Sequence, residues 1–204
     1  MKTIVFAARK GGSSKTTLTA HVGVEAERVG DGPVIFIDID PQRSLTDWWE
    51  ARGADTPSLV ECPIEKLHWQ IDSVKERKGI ILIDTPPLIA ETIESVIKVS
   101  DFVVIPVKPT PTDLRAIGVT VSLAKQHNKP FAFVITQAIS RSTLTIKAPS
   151  ILSNHGKVAT MIMHYRSDYA SCMGSGLTAK EIDPKGKASE EIEDLWQYLK
   201  TQIS

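Results

Sequence analysis

Arg9-Lys10-Gly11-Gly12-Ser13-Ser14-Lys15-Thr16-Thr17 is the stretch on which the reading of this chain turns. It follows an apolar, β-like run, Thr3-Ile4-Val5-Phe6-Ala7-Ala8, and precedes a helix-like run from Leu18 to Val29. A strand, a glycine-containing loop, then a lysine and a hydroxyl opening a helix is the layout of a phosphate-binding loop. Polyphosphate is densely negative. Small residues let several backbone N–H groups point at it, and the helix start adds partial positive charge. The pattern sets Lys15 against β- and γ-phosphates and gives the Thr16 hydroxyl to Mg²⁺. Alone, the same stretch is also compatible with plain turn chemistry and a lysine in a first helical turn, so the rest of the chain decides.

Working outward, short apolar runs rich in Val and Ile recur at 3–8, 34–38, 79–84, 102–107, 131–136 and 158–163. They are nearly continuous rather than alternating, as strands covered on both faces are. Between them lie segments with helical spacing: Leu18, Val22, Val24, Ala26 and Val29; Ile64, Leu67, Ile71 and Val74; Leu114, Ile117, Val121 and Ala124. A final helix follows Asp183-Pro184 and runs to about Gln202, with Ile192, Leu195, Trp196, Leu199 and Ile203 on one stripe. The alternation predicts an α/β fold, a doubly wound, mostly parallel sheet with helices on both faces, formed as one domain over residues 1–204. Such sheets bind ligands at the carboxyl ends of their strands.

Acidic residues fall at those ends. Asp38-Ile39-Asp40-Pro41-Gln42 leaves one strand with two carboxylates, which could serve Mg²⁺ or an attacking water, or cap their own loop. Ile80-Ile81-Leu82-Ile83-Asp84-Thr85-Pro86-Pro87 has the shape of a Walker B strand, whose carboxylate reaches Mg²⁺ through its water shell. Lys10 precedes Gly11-Gly12 as a second lysine, either functional or a solvated loop charge.

The combination of Lys10–Thr17, Asp38–Gln42, Ile83–Pro87 and Val104-Ile105-Pro106-Val107 resembles the ParA/MinD family of deviant Walker ATPases over essentially the whole chain. Asp40-Pro41-Gln42 and the tail Asp183–Ile192 are similar to the ParA branch, in a short form without an N-terminal helix-turn-helix. The resemblance implies an ATP- and Mg²⁺-dependent ATPase that closes as a homodimer around two nucleotides. Lys10, Lys15 and Asp40 would be catalytic, with Lys10 reaching the partner subunit's nucleotide and Asp40 positioning the hydrolytic water. Gly11, Gly12, Ser13 and Ser14 would wrap the phosphates and Thr17 the α-phosphate. Pro106 and Gln137 would border the nucleotide, Gln137 at the adenine. Thr16, Asp38 and Asp84 would serve the metal. Ser14 departs from the family's glycine, at a position where close backbone approach and positive φ favour glycine; ATP binding is expected to survive and hydrolysis to be affected.

The resemblance further implies non-specific DNA binding, a ParB-like adaptor, and a cytoplasmic, nucleoid-associated protein that segregates plasmid or chromosomal DNA. Arg141, Lys147, Arg166, Lys180, Lys185 and Lys187 are the candidate DNA contacts, or else a solvated face. Positioning of another cargo, such as a chemoreceptor cluster or microcompartment, and a hydrolysis-impaired scaffold are the alternatives. Formal net charge is zero over 204 residues, with 42% hydrophobic and 24% charged, so the chain as a whole is not a polybasic nucleic-acid binder. No apolar run of about 18 residues is present, no signal peptide is expected, and the acidic last helix argues against membrane attachment. Cys62 and Cys172 lack CxxC spacing and read as reduced thiols.

Overall fold

The computed structural model describes residues 1–87 and 90–204. In chain order the elements are β1 (Lys2–Phe6), α1 (Lys15–Arg28), β2 (Val34–Asp38), α2 (Ser44–Arg52), β3 (Ser58–Glu61), a 3₁₀ turn (Ile64–Lys66) leading into α3 (Leu67–Asp72), β4 (Ile80–Asp84), α4 (Ala90–Val99), β5 (Phe102–Val107), α5 (Pro111–Ala116), α6 (Gly118–Gln126), β6 (Phe131–Ala138), α7 (Thr143–Ser153), β7 (Lys157–His164), α8 (Ser167–Met173), α9 (Ala179–Ile182) and α10 (Lys187–Ile203). The strands form one seven-stranded sheet in the order β3-β2-β4-β1-β5-β6-β7, every pairing parallel.

β1 lies between β4 and β5. The chain first winds outward through β2 and β3, returns to β4, and then builds the other half. The reversal opens a crevice at the carboxyl ends of β1 and its neighbours, the usual ligand position of such a sheet. Alternate residues of β1 and the position just after it feed two cores: Ile4 and Phe6 join one, Val5 and Ala7 the other. That is why the strands read as unbroken apolar runs. Side chains such as Phe6, Phe36 and Trp196 are fully buried, each worth about 2–3 kcal/mol relative to exposure. Helix α1 presses directly on β2, since a Cβ at Gly23 would lie 2.2 Å from Phe36 Cε1. The loop before α1 is therefore carried on a rigid base.

The structure adds β3 to the strands expected from sequence. Its short edge segment has exposed ends, Ser58 and Glu61, around only two half-buried apolar residues, Leu59 and Val60. The expected helix through Leu114–Ala124 divides into α5 and α6 at Ile117. The last helix matches its expected stripe: Ile192, Leu195, Trp196 and Leu199 are buried, and Ile203 is half-buried. Both cysteines are free and buried, and burial pushes the Cys172 thiol up to about 11.

Candidate functional site

The β1–α1 loop adopts a conformation most side chains avoid. Gly12 has φ 68° and Ser14 has φ 71°, both left-handed. For Ser14 this costs about 1 kcal/mol that glycine would not incur. The sequence expectation of positive φ at position 14 is thus met by a serine. Helix α1 starts with no side-chain cap and no acid in its first turn. Its first bond of helical spacing runs from Leu18 N–H to Ser14 C=O, at 2.9 Å. The amides of Lys15, Thr16 and Thr17 precede that bond and have no acceptor among the described residues, the arrangement that receives anions.

These amides face a cavity of about 820 Å³ lined by Gly11 to Thr17, Asp40, Gln137 and, on its far wall, Tyr165, Tyr169 and Met173. The volume suits a nucleotide-sized ligand. Lys15 is buried, and that burial lowers its pKa against the opposing pull of Asp84 and Asp40. Thr16 Oγ1 donates to Asp84 Oδ2 at 2.6 Å. Asp84 is fully buried; burial pushes it up to about 7, with the Thr16 hydrogen bond opposing and Asp38 adding to the shift. A hydroxyl beside a carboxylate that lacks solvent fits Mg²⁺, which prefers oxygen donors and takes most of its shell from water and phosphate. Among the described residues, no cluster of three or more His, Cys, Asp or Glu is arranged to hold a metal by itself.

Asp38 is placed differently from Asp84. Its Oδ1 accepts from Asp40 N–H, and its Oδ2 accepts from both Thr46 N–H and Thr46 Oγ1, each at 2.9 Å. Of the two sequence readings, these contacts are those of the loop cap. Asp38 fixes the turn that carries Asp40, whose half-buried carboxylate accepts from Gln42 N–H at 2.9 Å and lines the cavity. Thr46 gave no signal in the sequence, because its partner lies on another element.

Lys10 lies on the opposite side of the loop. Its Nζ contacts Thr112 Oγ1 at 3.1 Å and Asp113 Oδ2 at 3.3 Å, and its side chain remains 45% exposed. Sequence reasoning missed Asp113, although Thr110-x-x-Asp113 before a helical run is a readable capping pattern. Pro106 requires correction. It is buried inside β5, not in the following loop, and borders a small space beneath Arg9, Lys10 and Ser13 rather than the large cavity. A central strand tolerates this proline because its missing N–H points toward β1, which has already ended. Gln137 does reach the loop, but its Nε2 donates to Gly12 C=O at 2.8 Å and to Ser14 Oγ at 2.9 Å.

The six basic candidates separate. Arg166 is bound to Glu191 through Nε at 3.0 Å and Nη2 at 2.6 Å, an interaction that raises its pKa. Lys180 is largely buried and bonded to Glu193 and Pro184 C=O. The structure therefore takes Arg166 and Lys180 out of a free basic surface. Arg141, Lys147, Lys185 and Lys187 are exposed and form no salt bridge among the described residues. No helix of the described residues is long and apolar enough to cross a membrane.

Comparison with known proteins gives concordant results. Residues 4–179 match the model of the CobQ/CobB/MinD/ParA nucleotide binding domain. The maintenance of carboxysome distribution protein A of Halothiobacillus neapolitanus is 26% identical over 205 residues, covering 95% of this chain and 94% of that protein. A protein ParA of Rhizobium radiobacter is 25% identical over 158 residues, covering 76% of this chain and 68% of that protein. In fold, the chain superposes on MinD of the Aquifex aeolicus MinC:MinD complex with TM-score 0.81 at 21% identity, covering 98% of this chain and 96% of that one.

Proposed function

The chain belongs to the CobQ/CobB/MinD/ParA nucleotide-binding family, and from that premise we propose that it is an Mg²⁺-dependent ATPase that dimerises on ATP and distributes a large cargo over DNA. The observation that carries this reading is the uncapped start of α1 with Lys15 and the Thr16–Asp84 pair beneath it. In this reading the amides of residues 15 and 16 bind the β- and γ-phosphates, Thr17 binds the α-phosphate, and Lys15 neutralises the β- and γ-phosphates. Thr16 and Asp84 would hold Mg²⁺, which when bound would supply charge neutralisation at the phosphates. Asp38 acts on the metal side only through the loop it fixes. Asp40 orients the water. Lys10 leaves Asp113 and reaches the nucleotide of a second copy, bringing positive charge to the transferred phosphoryl group. Closure would thereby be tied to nucleotide state.

The dimer would bind DNA without sequence preference through Arg141, Lys147, Lys185 and Lys187 of both copies, as a nucleoid-associated protein. A ParB-like adaptor would trigger hydrolysis and release. Plasmid or chromosomal DNA is the cargo of the leading reading. A second reading, a microcompartment cargo, is favoured by the relative from H. neapolitanus, whose name assigns it to carboxysome distribution and which aligns over nearly the full length of both chains.

The test measures phosphate release with Mg-ATP and DNA, beside retention of the protein on DNA at rising salt. The reading predicts ATP-dependent retention that falls by about 0.9 log units per log unit of salt for each phosphate neutralised. Release no greater than that of Asp40→Ala, with nucleotide binding intact, would replace the ATPase by a nucleotide-dependent scaffold. Retention independent of ATP would remove the DNA step.

A further inference from the structure

The end of β6 grips the phosphate-binding loop from the side. Gln137 Nε2 donates to Gly12 C=O at 2.8 Å and to Ser14 Oγ at 2.9 Å. One residue earlier, buried Thr136 Oγ1 donates to Ser13 C=O at 3.1 Å. Three consecutive loop residues are thus tied to two consecutive residues of one strand. The Gly12 carbonyl can only accept, which fixes the amide nitrogen of Gln137 toward the loop. Gln137 is itself held at φ 50°, a left-handed value uncommon for its type, and that turn aims its side chain at the loop rather than along the sheet.

Ser14 needs such help. With a Cβ, it visits the left-handed region only when its surroundings hold it there. The loop amides converge on one point only while it stays there. The bond from Gln137 to Ser14 Oγ uses the atom that distinguishes serine from glycine. We propose that Gln137 is a positioning residue, a clasp that keeps Ser14 in a glycine-like conformation and so keeps the loop ready for phosphate. This role differs from contact with the nucleotide base, and it rests on the proposal that the loop binds nucleotide.

Loss of the clasp would lower the fraction of molecules with a competent loop, and apparent affinity falls in proportion to that fraction. Glycine at position 14 reaches the left-handed region freely and would depend on Gln137 much less. The experiment is calorimetric titration of Mg-ATP and of Mg-tripolyphosphate, which has no base, into the full chain, Gln137→Met, Ser14→Gly and the double variant. Methionine keeps the volume and removes the donors. Gln137 is half-exposed, so the melting midpoint should be preserved. Gln137→Met is expected to weaken both ligands equally, by about tenfold, the size of one to two net hydrogen bonds. The readout is the ratio between the double variant and Ser14→Gly, whatever the affinity of Ser14→Gly itself: it should stay within about threefold, the remainder reflecting the Gly12 contact.

Weakened ATP with unchanged tripolyphosphate would make Gln137 a base contact and overturn the clasp. So would losses that simply multiply in the double variant, or no loss in Gln137→Met. Wild-type protein that bound neither ligand would instead refute the nucleotide reading on which the clasp stands, and the clasp with it.

Discussion

Helices α1 and α2 leave the same edge of the sheet, each directly after a left-handed residue, Ser14 at φ 71° and Arg43 at φ 53°. Neither helix has a cap from its own first residue. Their starts are nonetheless finished differently. The α2 start receives Asp38, whose carboxylate accepts from Thr46 N–H and Oγ1. At the α1 start the carboxylate of Asp84 takes only the Thr16 hydroxyl, and among the described residues no carboxylate accepts from the first amides. The chain thus satisfies the helix that only needs to be held and leaves open the helix that needs a ligand. An open helix start loses roughly 1 kcal/mol of capping stability, and a bound polyphosphate can more than offset that.

The comparison can be broken from either side. The largest effect is expected at the open start. Lys15→Ala should lower Mg-ATP affinity at least about a thousandfold, about 4 kcal/mol, without lowering the melting midpoint, because it removes a lysine that burial already disfavours. Equilibrium dialysis and a thermal melt check this together. At the closed start the effect should fall on stability. Asp38→Ala leaves Asp40 N–H and both Thr46 donors without their acceptor and should cost about 4 kcal/mol in urea unfolding. An intact unfolding midpoint in Asp38→Ala would dissolve the contrast.

A third expectation sharpens the question of what holds α1 when its start is open. His21, one turn along, donates Nδ1–H to Thr17 C=O at 2.8 Å and accepts Ala179 N–H at Nε2, at 3.1 Å, which fastens α1 to α9. Burial pushes His21 down to about 4, with Thr17 and Glu181 opposing. The unfolded chain binds this proton near pH 6.5 and the folded chain only near 4. Stability from this group is therefore complete above about pH 6.5 and falls as pH drops toward 4, by about 3 kcal/mol in all. Urea midpoints across that window test it, and His21→Gln should flatten the slope. The smallest effect concerns the basic residues. Replacing exposed Lys185 and Lys187 by alanine should weaken DNA retention several-fold and reduce its salt slope, whereas Arg166→Ala should chiefly lower stability, since Arg166 is occupied by Glu191.

Much of this architecture was readable in the residues, for a physical reason. Strands covered on both faces leave unbroken apolar runs, so the central strands stood out, while β3 at the edge did not. The phosphate-binding loop was readable because its chemistry is local: glycines, lysine and hydroxyl within nine positions. What stayed hidden depends on partners distant in sequence. The cap that Asp38 gives Thr46 is one such contact, eight residues along the chain and on another element. Arg166 and Lys180 read as free charges because Glu191 and Glu193 meet them only after α10 folds back onto the sheet. The bonds from Gln137 to Gly12 and Ser14 were hidden for the same reason, because nothing in its sequence neighbours reveals that the chain turns it toward the loop.

Lys10 bears most directly on the central claim, because the account requires the same side chain to leave Asp113 for a second subunit's nucleotide. The decisive measurement is the molecular mass of the full chain in solution with and without Mg-ATP, for wild type and Lys10→Ala. The account predicts that Mg-ATP doubles the mass of the wild type, while Lys10→Ala binds ATP with unchanged affinity and remains a monomer. A Lys10→Ala protein that doubled in mass as the wild type does, or a wild type whose mass ignored Mg-ATP, would contradict it.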